Sequence, residues 1–234
     1  KLDVEMDFSP ETLAPTEPDN EQLAELFAEY EFKRWLNEVS ATAAAESAEA
    51  QTEEATVSTS DISHDAYETI FDETHFTKWL DALKAAPLFA FDTETTSLNY
   101  KEAELVGISV CIEPGKAAYI PVGHDYPGAP EQLNRDWVLA QLKPLLEDEQ
   151  LKKVGQHLKY DKNVLANYDI TLNGIAFDTM LESYVLNSTA SRHDMDSLAL
   201  AYLNHNTIHY EEIAGKGAKQ LTFNQIDLDQ AAPY

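Results

Sequence analysis

The apolar run Pro87-Leu88-Phe89-Ala90-Phe91 ends in Asp92-Thr93-Glu94, and this stretch restricts the fold and chemistry of the chain most. A short apolar run of this kind suits a β-strand. Alternate strand residues share a face, so both carboxylates point the same way with Cα atoms roughly 6–7 Å apart. Two acids so placed repel each other and lose hydration unless a cation bridges them. A hard divalent metal favours that arrangement: oxygen ligands in near-octahedral geometry, with positions left for water and a phosphate oxygen. A strand ending in a polar turn carries the same tripeptide, so a second carboxylate has to decide.

Asp161 is that second carboxylate. The stretch His157 to Tyr168 reads as a helix in which Leu158, Asp161, Leu165 and Tyr168 share one stripe. An acid on a core-facing stripe is costly unless it is paired, capped or metal-bound. The nearest cations, Lys159 and Lys162, point to other faces. Alone, Asp161 fits a helix cap or an ion pair as well as a metal. Beside Asp92 and Glu94 the metal role is favoured, and three acids from a strand and a helix suggest two-metal phosphoryl chemistry.

With 234 residues the chain has room for one large or two small domains. No charged segment followed by an apolar one opens it, so no signal peptide is visible, and no apolar run approaches the roughly 20 residues of a membrane span. Cys111, the single cysteine, fits a reducing cytosol and a small core residue. The net charge of −26 argues against a generic nucleic-acid surface, which is basic. Residues 1–65 hold 3 basic and 17 acidic side chains, so −14 of that charge lies there and −12 in the remainder. Any DNA must then be held locally, by metals, aromatic stacking and a few cations.

Four segments carry a resemblance: Phe-Asp-Thr-Glu-Thr at 91–95, Val-Gly-Gln-His-Leu-Lys-Tyr-Asp at 154–161, Phe-Asp-Thr-Met-Leu-Glu-Ser-Tyr at 177–184 and Glu-Glu-Ile-Ala-Gly-Lys-Gly at 211–217. In order and spacing, from about residue 65 onward, they resemble the proofreading 3′→5′ exonuclease domain of the bacterial DNA polymerase I family (family A). The resemblance implies a ribonuclease-H-like exonuclease fold, an α/β architecture with a mixed sheet flanked by helices. The family's third motif is a Tyr followed four residues later by an Asp. Tyr234 matches that tyrosine and closes the given sequence, so the aspartate is absent from it. The expectation is a fold truncated at its C-terminus, with weak metal binding and little activity.

Residues 21–37 carry apolar residues at helical spacing, Leu23, Leu26, Phe27 and Tyr30 among them, and the string from Glu29 to Trp35 resembles the end of that family's 5′-nuclease domain. Residues 38–64 are mostly Ala, Glu, Ser and Thr, a composition that predicts an acidic, disordered linker. Residues 65–234 form the expected exonuclease domain. Tyr67–Ile70 suits an edge strand, and Asp72 suits the cap of a helix burying Phe76, Trp79, Leu80 and Leu83. Strands at Leu105–Ile112 and Ala117–Val122 are predicted to form a hairpin. Trp137–Leu146 reads as a helix disturbed by Pro144, and Lys152–Gly155 as a short strand. Asp178 is expected to cap a helix, as are Asp194 and Asp196; Gly215-Lys216-Gly217 reads as a flexible turn that approaches DNA.

By resemblance, Asp92, Glu94 and the missing aspartate would hold the water-activating metal, and Asp92 and Asp161 the second. Mg²⁺ or Mn²⁺ is implied, with Zn²⁺ at one site as an option. Tyr234 would orient the attacking water. Leu98 would wedge against the terminal bases, Tyr210 would stack on them, and Arg192 would approach the phosphates. For Leu98 and Tyr210 ordinary packing is an equal reading. Gln156, His157 and Tyr160 complete the implied substrate contacts, although the family usually has Asn where His157 stands. The implied partners are a single-stranded or frayed 3′ end of DNA and the polymerase domain of the same parent chain. A monomer in the bacterial cytoplasm, associated with the nucleoid and not with a membrane, is expected. The rivals are a ribonuclease-D-like RNA exonuclease and an inactive exonuclease fold kept as a structural module.

Overall fold

Six strands hydrogen-bond into one mixed sheet: β1 (Glu68–Thr69), β2 (Leu88–Thr95), β3 (Leu105–Glu113), β4 (Lys116–Pro121), β5 (Lys152–Gly155) and β6 (Ile175–Asp178), in the order β1-β4-β3-β2-β5-β6. The structure, a computed structural model, describes residues 18–30, 32, 35, 36, 39, 67–189 and 192–234. Strands β2, β3 and β4 run antiparallel, as the turn at Glu113–Lys116 leads one to expect. Parallel pairing joins β1 to β4, β2 to β5 and β5 to β6.

The chain divides into two compact units, Lys1–Val57 and Ser58–Tyr234. In the first, α1 (Asn20–Glu29) is capped by Asp19, whose carboxylate accepts the Gln22 N–H at 3.0 Å. The helix expected over 21–37 stops at Glu29. Leu26 and Tyr30 are exposed, so the apolar stripe thins there; Trp35, Leu36 and Val39 are helical again, and the rings of Phe27, Phe32 and Trp35 gather with centroids 6.2, 5.5 and 4.9 Å apart. Val39 apart, the expected linker over 38–64 lies outside the described residues.

In the second unit, period-2 alternation assigns each strand residue to a face. Phe89, Phe91, Ile108, Val110, Ala118 and Ile120 meet one layer of helices: α2 (Glu73–Ala85), α3 (Arg135–Glu147) and α4 (Leu158–Ala166). Asp72 caps α2 as expected, accepting the Thr74 and His75 N–H groups at 2.9 and 3.0 Å, which contributes about 1 kcal/mol. The four anticipated residues of α2 are all buried. Pro144 does not break α3. The helix continues to Glu147 because Leu142, Leu145 and Leu146 are buried around the proline and hold the last turn. Just beyond, Lys153 is fully buried and its Nζ donates to the Asp148 carbonyl at 2.8 Å.

The opposite face carries a second cluster, Val106, Tyr119, Ala214, Phe223, Ile226, Leu228 and Ala231. Val106 reaches it through a bulge: Glu94 pairs with Gly107 and Thr95 with Leu105, leaving Val106 as the extra residue. This cluster is built by α7 (Tyr210–Ala214), a 3₁₀ turn at Phe223–Gln225 and α8 (Leu228–Ala231). Helices α5 (Thr179–Leu186) and α6 (Met195–Leu203) bury no apolar side chain, and Val185 and Leu186 are 83% and 80% exposed. Among the described residues no helix is long and apolar enough to cross a membrane.

Candidate active site

Strand β5 pairs with β2 only at Leu88, Phe89 and Ala90. The later half of β2 therefore has a free edge, where the Thr93 N–H lacks a ladder partner and donates instead to Asp161 Oδ1 at 3.0 Å. The Thr93 hydroxyl donates to the same oxygen at 2.5 Å. Asp161, buried on α4, is thus stitched to the residue between Asp92 and Glu94. Gly155 makes the approach possible, because a Cβ there would overlap the Phe91 carbonyl and the Leu158 side chain.

Asp178 sets the start of α4. Its carboxylate accepts the N–H groups of His157 and Leu158 at 3.1 and 2.9 Å, and those of Met180 and Leu181, at the start of α5, at 3.1 and 3.2 Å. The expected cap of α5 is present, and the same side chain caps α4. His157 stands in the left-handed region, φ 59°, with its side chain exposed and making no cap hydrogen bond. Asp194 caps α6 through the Ser197 N–H, but Asp196 does not share that role. It lies within the first turn of α6, where its N–H already belongs to the helix start, and its carboxylate accepts from Thr207 Oγ1 at 2.5 Å and meets His209 Nδ1 at 2.8 Å.

Asp92 and Glu94 lie side by side on the face opposite Thr93, recessed from solvent. Lost hydration, then repulsion from Asp161, pushes the Asp92 carboxyl up to about 7. Lost hydration, then Asp92 and Asp161, holds Glu94 well above the ordinary carboxylate range. Burial also raises Asp161, against the lowering effect of the Thr93 hydrogen bonds. Among the described residues, no ion pair compensates any of the three. The set is not closed: among the described residues no three or more His, Cys, Asp or Glu side chains are grouped tightly enough to hold a metal ion. One Asp161 oxygen is taken by Thr93, which leaves Asp92 and Glu94 as an open pair with Asp161 in their field. The donors are hard oxygens carrying uncompensated charge, and they fit a divalent cation such as Mg²⁺ or Mn²⁺.

Tyr210 and Tyr234 stand beside this pair. Tyr210 stacks near Phe223, centroids 6.5 Å apart and planes at 14°, with its hydroxyl donating to the Leu221 carbonyl at 2.8 Å. Tyr234 packs against Phe223 at 5.8 Å and edge-on to Tyr210 at 6.2 Å. Lost hydration, then the Glu94 charge, pushes the Tyr234 phenol up to about 12, so it keeps its proton at neutral pH. The Tyr160 hydroxyl donates to the Ser97 carbonyl and lies 2.6 Å from Thr95 Oγ1, tying α4 to the loop that carries Leu98. Leu98 itself is 96% exposed. Gln156 donates from Nε2 to the His193 carbonyl at 2.8 Å, next to the exposed Arg192. Gln156 and His157 stand at the start of α4, where His157 acts on Asp161 in the lowering direction, and neither forms an ion pair with the carboxylates. Gly215 and Gly217 have φ of 78° and 72°, consistent with a turn, and Lys216 pairs with Glu211 at 2.6 Å. Sequence reasoning missed Thr93, the second cap at Asp178, and Phe223; only Gly155, inside the 154–161 motif, hinted at a close approach.

The family model described as 3′-5′ exonuclease matches residues 67–234. DNA polymerase I of Pseudomonas aeruginosa is 54% identical over 239 residues, covering 100% of this chain and 25% of the relative. DNA polymerase I of Rhizobium leguminosarum is 41% identical over 188 residues, covering 73% of this chain and 18% of the relative. The chain therefore spans a quarter or less of the length of these relatives. Among solved structures, the Aedes aegypti Nibbler EXO domain superposes with a TM-score of 0.53 at 14% identity, covering 74% of this chain and 84% of that one, a likeness of fold alone. Taken with the carboxylate pair on β2, the match over most of its length means that the chain belongs to the 3′-5′ exonuclease family of the bacterial, family A DNA polymerases.

Proposed function

We propose that this chain carries a metal-dependent exonuclease site that removes nucleotides from single-stranded or frayed 3′ ends of DNA, the proofreading activity of a DNA polymerase I. The observation that carries the reading is the pair Asp92 and Glu94, side by side on β2, raised in pKa and, among the described residues, without an ion-pair partner. Asp92, Glu94 and Asp161 would hold two divalent ions, Mg²⁺ or Mn²⁺, with Zn²⁺ an option at one position. When bound, such ions activate the attacking water and stabilise the leaving 3′ oxygen.

The protein's own groups bind and align the strand. Leu98 wedges between terminal bases, which its full exposure supports, and Tyr210 stacks on them without regard to base identity. Arg192, Gln156, His157 and Tyr160 contact the sugar-phosphate backbone around the start of α4. The phenol Oη of Tyr234 keeps its proton and orients the water. The partners in this reading are a DNA 3′ end and a polymerase domain in the same polypeptide, in a monomer of the bacterial cytoplasm associated with the nucleoid. Residues 1–37 correspond to the tail of a 5′-nuclease domain, 38–64 to a linker and 65–234 to the exonuclease domain.

The test is fluorescence anisotropy of end-labelled single-stranded DNA and RNA of one sequence, with and without Mn²⁺, alongside release of 3′ nucleotides. DNA binding strengthened by Mn²⁺ in the unmodified chain, and not in Asp92→Asn, is expected. A preference for RNA would move the assignment to a ribonuclease-D-like enzyme. Binding indifferent to both Mn²⁺ and Asp92 would leave only a structural module.

A further inference from the structure

Tyr119 and His124 are 4% and 5% exposed, and neither belongs to the carboxylate set. Buried phenols and imidazoles require partners, and these two find each other: the Tyr119 hydroxyl lies 2.7 Å from His124 Nε2. His124 Nδ1 lies 3.1 Å from the Ile226 carbonyl. A carbonyl only accepts, so Nδ1 carries the proton and Nε2 accepts from the phenol. Burial lowers the His124 pKa, in keeping with a neutral ring. Gln132 fixes the His124 backbone from both sides, accepting its N–H at 2.9 Å and donating to its carbonyl at 2.7 Å.

Neighbouring bonds join the same two stretches of chain. Asp125 N–H donates to the Asn224 carbonyl at 3.0 Å, Asn224 Nδ2 donates to Asp125 Oδ1 at 2.8 Å, and Leu228 N–H donates to the Tyr126 hydroxyl at 3.2 Å. What they pin is the backbone that carries Phe223, whose ring lies 5.8 Å from His124 on one side and supports Tyr210 and Tyr234 on the other. At the other end of the pair, the Tyr119 ring fills the space over Gly107, where a Cβ would overlap it, and Gly107 is the strand partner of Glu94. One hydrogen-bonded pair thus spans from the floor beside Glu94 to the segment that bears the aromatic wall.

We propose that Tyr119 and His124 are positioning residues, a latch that sets the Tyr210–Phe223–Tyr234 wall at a fixed distance from Asp92 and Glu94 and so governs the grip on the terminal nucleotide without affecting cation binding. This rests on the reading of the site as an exonuclease. The alternative is packing alone, in which loss of the hydroxyl weakens every property in parallel or none.

Tyr119→Phe separates them, since it keeps the ring over Gly107 and removes only the bond. In the full chain, Mn²⁺ affinity by titration calorimetry should stay within about twofold, while affinity for a single-stranded DNA oligonucleotide falls about 5- to 10-fold, the size expected for one buried hydrogen bond. Amide exchange at Asn224–Leu228 should quicken by a similar factor, with β2 and β3 unchanged. His124→Asn, which loses both ring contacts, should give the same pattern to a larger extent. Unchanged exchange at 224–228, or a parallel loss of Mn²⁺ and oligonucleotide affinity, would overturn the latch. If the unmodified chain does not bind the oligonucleotide, the exonuclease reading falls with the wall's role in it, whereas unchanged exchange in a chain that binds DNA overturns the latch alone.

Discussion

Replacing Asp178 removes one acceptor from the starts of two helices. Oδ1 accepts from His157, Met180 and Leu181, and Oδ2 from Leu158. A single N-cap contributes about 1 kcal/mol, and an N–H left buried without a partner costs about 1–3 kcal/mol. Asp178 is 9% exposed, so water cannot take over all four contacts. Asp178→Ala should therefore cost about 2–4 kcal/mol in urea unfolding. Asp178→Asn keeps Oδ1 and its three partners but turns an amide donor toward the Leu158 N–H. It should cost less, about 1–2 kcal/mol, and concentrate the damage at the start of α4. Because α4 carries Asp161, Mn²⁺ affinity should fall in both variants, and in Asn by more than its stability loss alone suggests. An Asn variant that unfolds at the wild-type urea midpoint and binds Mn²⁺ equally well would refute the double cap.

Lys153 is pulled down to about 8 by burial from 10.5, so between those values the unfolded chain binds more protons and stability rises with pH. Lys153→Met should remove that slope and stabilise the chain at pH 7 by about 1–2 kcal/mol, after allowance for the lost Asp148 contact; urea unfolding at pH 7 and 10 checks both. For Asp92 the sign reverses: its folded-state pKa, about 7, lies above the ordinary aspartate value of 3.8, so metal-free stability falls as pH rises between them. Asp92→Asn should accordingly stabilise the chain at pH 8 in chelator by about 1–3 kcal/mol while reducing Mn²⁺ affinity, and a loss of stability there would contradict the repulsion argument. His157→Asn should gain about 0.5–1 kcal/mol, because Asn tolerates φ near 59° better, and leave Mn²⁺ affinity unchanged by calorimetry; a large drop in affinity would make His157 a ligand.

The strand ending in Asp92-Thr93-Glu94, the Asp161 stripe and the caps at Asp72, Asp178 and Asp194 were legible because each is a local pattern: period 2, period 3.6, or a carboxylate before a helix. What escaped is long-range. The Thr93–Asp161 bonds span 68 residues and the His124–Ile226 bond spans 102, and no local spacing announces either. The survival of α3 through Pro144 turns on burial in the main core, and the role of Asp196 on partners 11 and 13 residues further along the chain. Asp161 was readable as an acid on a core-facing stripe, yet that Thr93 would occupy one of its oxygens depended on where β5 stops pairing.

Helices α5 and α6, with no buried apolar side chain, leave a large share of the apolar surface open to solvent. Leu181, Tyr184, Val185, Leu186, Leu200, Tyr202 and Leu203 present adhesive surface, while the charge of −26 keeps like molecules apart. These oppose each other with different reach: repulsion extends about 30 Å at 0.01 M salt and about 3 Å at 1 M, whereas apolar attraction acts at contact. Ionic strength thus works as a dial on self-association, and dilute buffer is the condition in which the chain is most faithfully studied as single molecules.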